Sequence, residues 1–185
     1  EEGEKALDYI FQSSQEEEHL TATLTRQIKL DSLTGLLLGK IRRGNEMGIE
    51  VKIDPDSCLE SLPPLLDEHD FVIILGNLIE NSFYALKDSG EYTKVIHIYL
   101  KEAPDTFHIE IEDNGAGMTE EQLPHLFQKG YTTKGKDGSG IGLYLIHSII
   151  EKADGHIKVE STPGEGTIFQ LTLPMNGGNI HEGTD

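Results

Sequence analysis

The stretch GYTTKGKDGSGIGL at residues 130–143 contains five glycines and three charged side chains, a composition that suits phosphate binding. Glycine lets the backbone approach a ligand closely, and peptide N–H groups are good donors to an anion. The stretch runs directly into IGLYLIHSIIEKADG, an apolar helix pattern whose first turn would leave free N–H groups beside the loop. A phosphate-binding loop is one interpretation, and a flexible surface loop with a glycine cap is the other.

Two well-known phosphate loops do not fit this stretch. In the P-loop pattern GxxxxGK[ST], Gly130, Gly135 and Lys136 match, but Asp137 stands where a hydroxyl must hold Mg²⁺. In the dinucleotide pattern GxGxxG, the third glycine would fall on Leu143. Both loops also follow a buried strand, whereas the preceding EEQLPHLFQK has no alternation and no β-branched run. A P-loop or Rossmann enzyme is therefore disfavoured.

Two asparagines lie four residues apart in the helix pattern FVIILGNLIENSFYAL. Asn77 and Asn81 share one helix face, and Asn77 lies about 200° of rotation from the core position Leu75. The pair could belong to a solvated polar face, although asparagine is a poorer helix former there than Lys or Glu. Because an amide oxygen is a suitable ligand for Mg²⁺, a binding role is the alternative.

An alternating strand pattern, FHIEIED, ends at Asp113, and Gly115 and Gly117 interrupt it immediately afterwards. A turn after a strand is the simpler explanation. The order of the segments along the chain favours a functional explanation of this glycine break. An asparagine-bearing helix, a strand ending in DxGxG, a glycine-rich loop and a GEGT segment before the last strand follow one another along the chain.

The composition limits the classes of partner. The chain has 185 residues, 36% of them hydrophobic, with a formal net charge of −18 and a pI of about 4.7. Nucleic-acid and anionic-membrane surfaces need basic patches, so a polyanionic ligand must be met locally by lysines, N–H groups or a metal. The single cysteine, Cys58, excludes a disulfide framework. No membrane-length apolar run or signal peptide is visible, and the abrupt start EEGEKALDYI indicates a fragment of a longer protein.

Hydrophobic periodicity predicts the elements that position these residues. Helices are expected over residues 4–29, over 32–47 with Gly48 as a stop, over 67–88, over EEQLPHLF and over 140–153. Strands are expected at IEVKID, KVIHIYL, FHIEIED, HIKVEST and TIFQLTLP, with KEAPDT and PGEG as hairpin turns. The pattern predicts an α+β fold of antiparallel strand pairs with helices on one sheet face.

Five segments in this order, NLIEN, DNGAG, LFQKGYTTKG, GSGIGL and TPGEGTIFQLTLP, resemble the N, G1, F, G2 and G3 boxes of sensor histidine kinase ATP-binding domains. The superfamily includes gyrase B, the Hsp90 chaperones and MutL. The resemblance implies a kinase domain at 47–175 with the Bergerat-type ATP-binding fold, a two-layer α/β sandwich. Residues 1–46 resemble the second dimerisation helix and connector helix of the citrate and C4-dicarboxylate sensor kinases, and 176–185 are expected to be a disordered tail.

The resemblance also implies roles for individual residues around ATP and Mg²⁺. Asn81 would coordinate Mg²⁺, and Asp113 would accept a hydrogen bond from the adenine amino group. A mobile lid, about residues 129–140, would close over the phosphates, with Lys134 and Thr133 contacting them. The other ATP-binding residues implied are Asn77, Gly115, Gly117, Phe127 at the base of the lid, Gly138, Gly140, Ile141, Gly142, Leu143 and Thr167.

The residue at position 77 bears on the reaction. Hydrolytic members of the superfamily carry a glutamate there as the general base, and an amide cannot take up a proton near neutral pH. The resemblance therefore implies a protein-histidine kinase with Asn77, Asn81 and Lys134 as candidate catalytic residues. A serine kinase of the anti-sigma-factor type and a non-catalytic ATP-dependent interaction module remain the alternatives.

The chain has eight histidines, and His19 in EEEHLTAT lies on the first predicted helix. Its context lacks the family's pattern around the phosphoacceptor, which is therefore expected on a preceding helix missing from this fragment. The resemblance also implies a homodimer through the N-terminal helical segment and a response regulator whose aspartate receives the phosphate. It further implies a cytoplasmic location within a membrane-anchored bacterial sensor. The acidic composition argues against a nucleic-acid partner.

Overall fold

The structure is a computed structural model, and it describes residues 15, 18–87, 89–90, 93–135 and 138–176. The described part of the first helix, α1, covers 18–27. Three further α-helices and a short 3-10 helix follow: α2 (Asp31–Met47), α3 (Glu68–Lys87), the 3-10 helix (Leu123–His125) and α4 (Gly142–Lys152). The strands are β1 (Ile49–Ile53), β2 (Lys94–Glu102), β3 (Thr106–Asp113), β4 (His156–Thr162) and β5 (Gly166–Pro174).

The five strands form one sheet in the order β1-β2-β3-β5-β4. The two hairpins predicted from their turn residues, β2–β3 and β4–β5, are antiparallel and are confirmed. The sequence predicted no partner for β1, which pairs with β2 in parallel. Parallel neighbours need a long crossover, and here helix α3 lies between the two strands in the chain.

One face of the sheet is buried and the other is exposed. In β3, Phe107, Ile109 and Ile111 are buried, whereas His108 and Glu112 alternate with them and are exposed. The buried row continues across neighbouring strands and meets the apolar side of α3, on which Phe71 packs edge-on against Phe107 at 5.5 Å between ring centroids. The predicted α+β class and two-layer sandwich are confirmed.

Helix α2 packs into the same hydrophobic core as the sheet. Leu33, Leu37 and Ile41 are buried there, and Gly48 ends the helix with φ 69, as expected. The division of the chain at residue 46 stays a prediction about the longer protein, because nothing separates α2 from the sheet in the described residues. The predicted tail lies outside the described residues except for Asn176.

Three predicted helices differ from the observed ones. Half of the helix expected over 4–29 lies outside the described residues, and its described part ends at residue 27. The helix expected at EEQLPHLF is only a 3-10 turn, because Pro124 lacks an N–H group and disfavours a longer helix. Helix α4 begins at Gly142 rather than Gly140, since Gly140 has a left-handed φ of 64. Among the described residues, no helix has the length and apolar character needed to cross a membrane.

Candidate nucleotide-binding site

A cavity of about 360 Å³ lies between helix α3, the ends of β3 and β5, and the lid. This volume is within the range of small-molecule sites. Most of the residues predicted from the sequence line it: Asn77, Asn81, Asp113, Gly117, Thr133, Lys134, Gly138, Gly140, Gly142, Leu143 and Thr167. The fold therefore brings together four segments that are far apart in the chain.

Asp113 forms the deep end of the cavity, where only 4% of its surface is exposed. Burial raises the pKa of the Asp113 carboxyl, while the nearby polar groups of Ser82, Gly115 and Thr167 act in the opposite direction. Of these, the Gly115 N–H meets hydrogen-bonding geometry at 3.0 Å, whereas the Ser82 hydroxyl has no hydrogen-bond partner among the described residues. The carboxylate keeps further acceptor capacity, which suits a ligand carrying an N–H donor.

The turn after Asp113 is fixed to the β4–β5 hairpin. Thr167 lies opposite Asp113 in the sheet, and its hydroxyl contacts the Ser161 hydroxyl at 2.8 Å. The Ser161 hydroxyl also accepts a hydrogen bond from the Met118 N–H at 2.8 Å. Gly117 has φ 65, and a Cβ there would lie 2.0 Å from the Thr162 carbonyl oxygen, so no other residue fits. These contacts hold the wall of the cavity in one conformation.

Asn81 and Lys134 meet at the opposite end of the cavity. The Lys134 ammonium donates to the Asn81 amide oxygen at 2.7 Å and lies 4.9 Å from the centre of the Tyr84 ring. Burial lowers the pKa of Lys134, and the negative charge of Glu80 raises it to a lesser extent. The Asn81 amide nitrogen is buried without a partner among the described residues. This end of the cavity therefore offers a cation and an unsatisfied amide donor to an anion.

Asn77 lies one turn before Asn81, and the start of α4 lies close to its side chain. Its amide nitrogen donates to the Ile73 carbonyl at 2.8 Å. A Cβ built on Gly142 would lie 2.5 Å from the Asn77 amide oxygen, so glycine permits this close approach.

The lid closes on itself through its glycines. The Gly130 N–H donates to the Gly140 carbonyl at 2.9 Å, and the Lys134 N–H donates to the Thr132 hydroxyl at 3.1 Å. A Cβ at Gly138 would lie 2.0 Å from that hydroxyl. The loop thus turns Lys134 toward α3.

Three residues implied by the family resemblance are not among the described residues that line the cavity. Gly115 lies behind Asp113, where a Cβ would be 2.8 Å from the Ala85 methyl carbon. Phe127 packs against His147, with 4.9 Å between ring centroids. Ile141 is 42% exposed. Their predicted roles in ATP binding stay predictions.

Several cavity residues were missed by the sequence reasoning, among them Glu80, Tyr84, Met118, Gln122, Leu126, Tyr131, Ser139 and Phe169. Tyr84 could have been found, because it lies seven residues after Asn77 and three after Asn81 on the same helix face. Met118, Gln122 and Tyr131 lie in irregular segments, where no periodic pattern indicates which way a side chain points.

A divalent metal such as Mg²⁺ needs oxygen ligands. The described part of the chain holds no group of three or more His, Cys, Asp or Glu side chains that could bind a metal. Mg²⁺ with a nucleotide usually takes only one or two protein ligands, besides phosphate and water oxygens. The Asn81 amide oxygen fits this chemistry, but it accepts from Lys134 in the observed arrangement.

Residues 66–177 match the family described as "Histidine kinase-, DNA gyrase B-, and HSP90-like ATPase". The chain belongs to this family. The predicted membership is thereby confirmed, and ATP is the nucleotide that the family description implies for the cavity.

Curated relatives extend the similarity beyond this region. The chain is 45% identical over 181 residues to a "Probable C4-dicarboxylate sensor kinase" of Bacillus subtilis (strain 168), covering 98% of this chain and 34% of the relative. It is 33% identical over 177 residues to "Sensor histidine kinase CitA" of Klebsiella pneumoniae, covering 96% and 32%. The chain thus spans about a third of the length of these relatives. Both are named as sensor kinases, in agreement with the family that the sequence resembles.

The fold is also found among solved structures. "Mycobacterial sensor histidine kinase MprB" has a TM-score of 0.58 and 17% sequence identity, covering 77% of this chain and 95% of that one. At this identity the likeness shows the fold, which is that of the ATPase family.

Proposed function

We propose that this chain binds Mg²⁺–ATP in the cavity and, within a longer sensor histidine kinase, transfers the γ-phosphate to a histidine of that protein. The observation that carries the proposal is the pairing of a buried carboxylate, Asp113, with the Lys134–Asn81 pair in one cavity. The two ends of the cavity offer opposite chemistry, as the two ends of ATP do. The names of the relatives, which are sensor kinases, support the reaction.

At the deep end, Asp113 would accept a hydrogen bond from the adenine amino group. Guanine carries a carbonyl oxygen at that position, which would face a carboxylate and repel it, so adenine is preferred. Thr167 and the backbone at Gly117 would border the base, since both line this part of the cavity.

The phosphates would lie at the opposite end of the cavity, beside the N-terminus of α4. They would be contacted there by Lys134, Thr133 and the N–H groups near Gly138, Gly140 and Gly142. Asn81 would hold Mg²⁺ through its amide oxygen once Lys134 has turned to a phosphate oxygen. The metal would neutralise charge on the phosphates. Catalysis would otherwise depend on positioning and electrostatic stabilisation, as is usual for phosphoryl transfer.

The nucleophile is proposed to be an imidazole nitrogen of a histidine on a dimerisation helix. Such a nitrogen needs no general base of the kind that activates water, and Asn77 provides none. In the longer protein, the N-terminal helical segment would form the homodimer. The phosphate would pass to an aspartate of a response regulator, and the sensor would be anchored in a membrane with this part in the cytoplasm.

The proposal can be tested with the chain and a separately supplied fragment bearing the acceptor histidine of a related sensor kinase. Calorimetry with ATP and GTP, each with and without Mg²⁺, should show binding of Mg²⁺–ATP and much weaker binding of GTP. Radiolabelled ATP should label the acceptor fragment with wild-type chain and not with Asn81→Ala, whereas the chain alone should label itself negligibly. Labelling of serine in a partner, or binding without transfer to histidine, would favour the two alternative functions instead.

A further inference from the structure

Glu80 places a negative charge at the phosphate end of the cavity. It directly precedes Asn81 on α3, and its side chain, 35% exposed, lines the same cavity as Lys134. A carboxylate there would repel a polyphosphate, since like charges close together are unfavourable. The contacts of Asn77, Asn81 and Lys134 do not explain why this position carries an acid.

Two cations of helix α2 bind this carboxylate. Lys40 Nζ and Arg43 Nη1 both donate to Glu80 Oε1, the second at 2.5 Å. The two cations are three residues apart and therefore share one face of α2. The Lys40 side chain is 14% exposed and that of Arg43 is 50% exposed, so solvent screens Lys40 less. The pair therefore neutralises Glu80 from the side of α2.

Helix α2 is outside the part of the chain that matches the ATPase family, residues 66–177. Its apolar side is buried against α3 and β1, and Gly44 brings its backbone so close that a Cβ there would lie 2.6 Å from the Ile49 carbonyl oxygen. The position of α2 in this packing determines whether its cations reach Glu80.

The charges at the phosphate end are linked electrostatically. Glu80 raises the pKa of Lys134, against the larger lowering effect of burial. With α2 in place, Lys40 and Arg43 contact the Glu80 carboxylate, and Lys134 interacts with it electrostatically. Without the two cations of α2, the positive charge of Lys134 and the negative charge of Glu80 would cancel. The cations of α2 thus offset the negative charge that Glu80 would otherwise present beside Lys134.

We infer that Lys40 and Arg43 are positioning residues, which hold and neutralise the Glu80 carboxylate and so make the affinity for Mg²⁺–ATP depend on the placement of helix α2. The inference rests on the proposed function, because it concerns the same cavity. It adds a route by which a movement of the preceding helical segment would reach the nucleotide.

The test compares a ligand with phosphates to one without. Affinities for Mg²⁺–ATP and for adenosine are measured by calorimetry for wild type, Lys40→Met, Lys40→Arg and the double variant Lys40→Met/Glu80→Gln. Lys40→Met should weaken Mg²⁺–ATP binding roughly three- to tenfold and change adenosine binding less than about twofold. The double variant should return to within about twofold of wild type, because the negative charge that Lys40 offsets is removed together with Lys40. Lys40→Arg, which keeps the charge, should bind like wild type.

A matched control removes a lysine from a similar pair elsewhere. Lys52 on β1 contacts Glu50 at 3.0 Å, and neither is among the described residues that line the cavity. Lys52→Met should leave both affinities unchanged. Equal losses for Mg²⁺–ATP and adenosine in Lys40→Met would assign Lys40 a purely structural role and overturn the inference, as would failure of Glu80→Gln to restore binding. Failure of the proposed function would appear as a wild-type chain that binds no Mg²⁺–ATP. Failure of the inference alone would appear only in the variants, so the two failures are distinguishable.

Discussion

The ammonium group of Lys134 donates a hydrogen bond to the amide oxygen of Asn81 at 2.7 Å, joining the lid to helix α3 across 53 residues of sequence. Neither position indicates the other in the sequence, because the contact depends on how the lid folds back over α3. In the proposed function this bond must break when Mg²⁺–ATP binds, with Lys134 turning to a phosphate and Asn81 to the metal. The pair thus links the lid to α3 before the ligand binds.

Replacing Lys134 should affect phosphate binding and spare the adenine end. A hydrogen bond from a charged group is worth about 1.5–3 kcal/mol, so Lys134→Met should weaken Mg²⁺–ATP binding by about tenfold or more. Adenosine affinity, measured by the same calorimetry, should stay within about twofold of wild type. Lys129→Met is the control in the lid, since Lys129 is exposed and lies over the Tyr144 ring at 5.7 Å, away from the cavity. Equal effects of the two variants would contradict the assignment.

Asp113→Asn should weaken ATP binding and leave the fold intact. The asparagine oxygen can still accept the Gly115 N–H, but its amide cannot offer the adenine amino group a charged acceptor. The expected loss is roughly 10- to 100-fold in affinity by calorimetry, with cooperative thermal unfolding in the absence of nucleotide. Unchanged affinity together with an unchanged melting curve would remove Asp113 from the site.

The stability of the chain should depend on pH through Asp113. Burial raises its folded-state pKa above the ordinary value of 3.8. Between the two pKa values the folded state binds more protons than the unfolded state. The contribution of Asp113 to stability is therefore complete below the unfolded pKa and is lost as pH rises through the folded pKa. The melting temperature of wild type minus that of Asp113→Asn should fall as pH rises from about 3 to about 7. A difference that is constant or rises over this range would contradict the direction of the pKa shift.

Local signals predicted much of the fold. Helix α3 was expected because its apolar residues recur at helical spacing, and the two hairpins because turn residues separate alternating strands. The parallel pairing of β1 could not be predicted, since it joins residues such as Val51 and Ile96 that are far apart in the chain. Pro124 shortens a predicted helix to one 3-10 turn, although its apolar neighbours favoured a longer helix.

Site residues that belong to short motifs could be predicted from the sequence. Site residues whose role depends on contacts between distant segments could not. Asp113 ends a strand at a glycine break, and Asn77 and Asn81 share a helix face, so each was visible locally. Glu80 was overlooked because its significance depends on cations of α2, about 40 residues earlier. Phe127, expected at the base of the lid, packs on His147, a contact that no sequence pattern indicates.

Two glycines with left-handed backbone should respond differently to alanine. Gly117 has φ 65, and its Cβ would meet the Thr162 carbonyl oxygen at 2.0 Å. Gly164 has φ 82 with nothing within 4 Å of its Cβ. Gly164→Ala should therefore cost only the conformational strain, about 1 kcal/mol in the free energy of unfolding. Gly117→Ala should cost at least about 2 kcal/mol more through the clash, measured by denaturant unfolding. Equal costs would show that the turn after Asp113 can shift.

The last prediction concerns what Asn77 prevents. Its amide donates to the Ile73 carbonyl at 2.8 Å and cannot accept a proton from water, so the chain should release free phosphate from Mg²⁺–ATP only slowly. Asn77→Asp places a carboxylate at the same point and should raise the release rate about tenfold, well below the 10²–10⁴ of an optimised general base. Asn77→Ala, which lacks any base, should stay as slow as wild type. Phosphate release is followed by a coupled colorimetric assay with saturating Mg²⁺–ATP. Rapid release by the wild-type chain would show that hydrolysis proceeds without a base at this position, and the kinase proposal would lose the support it draws from Asn77.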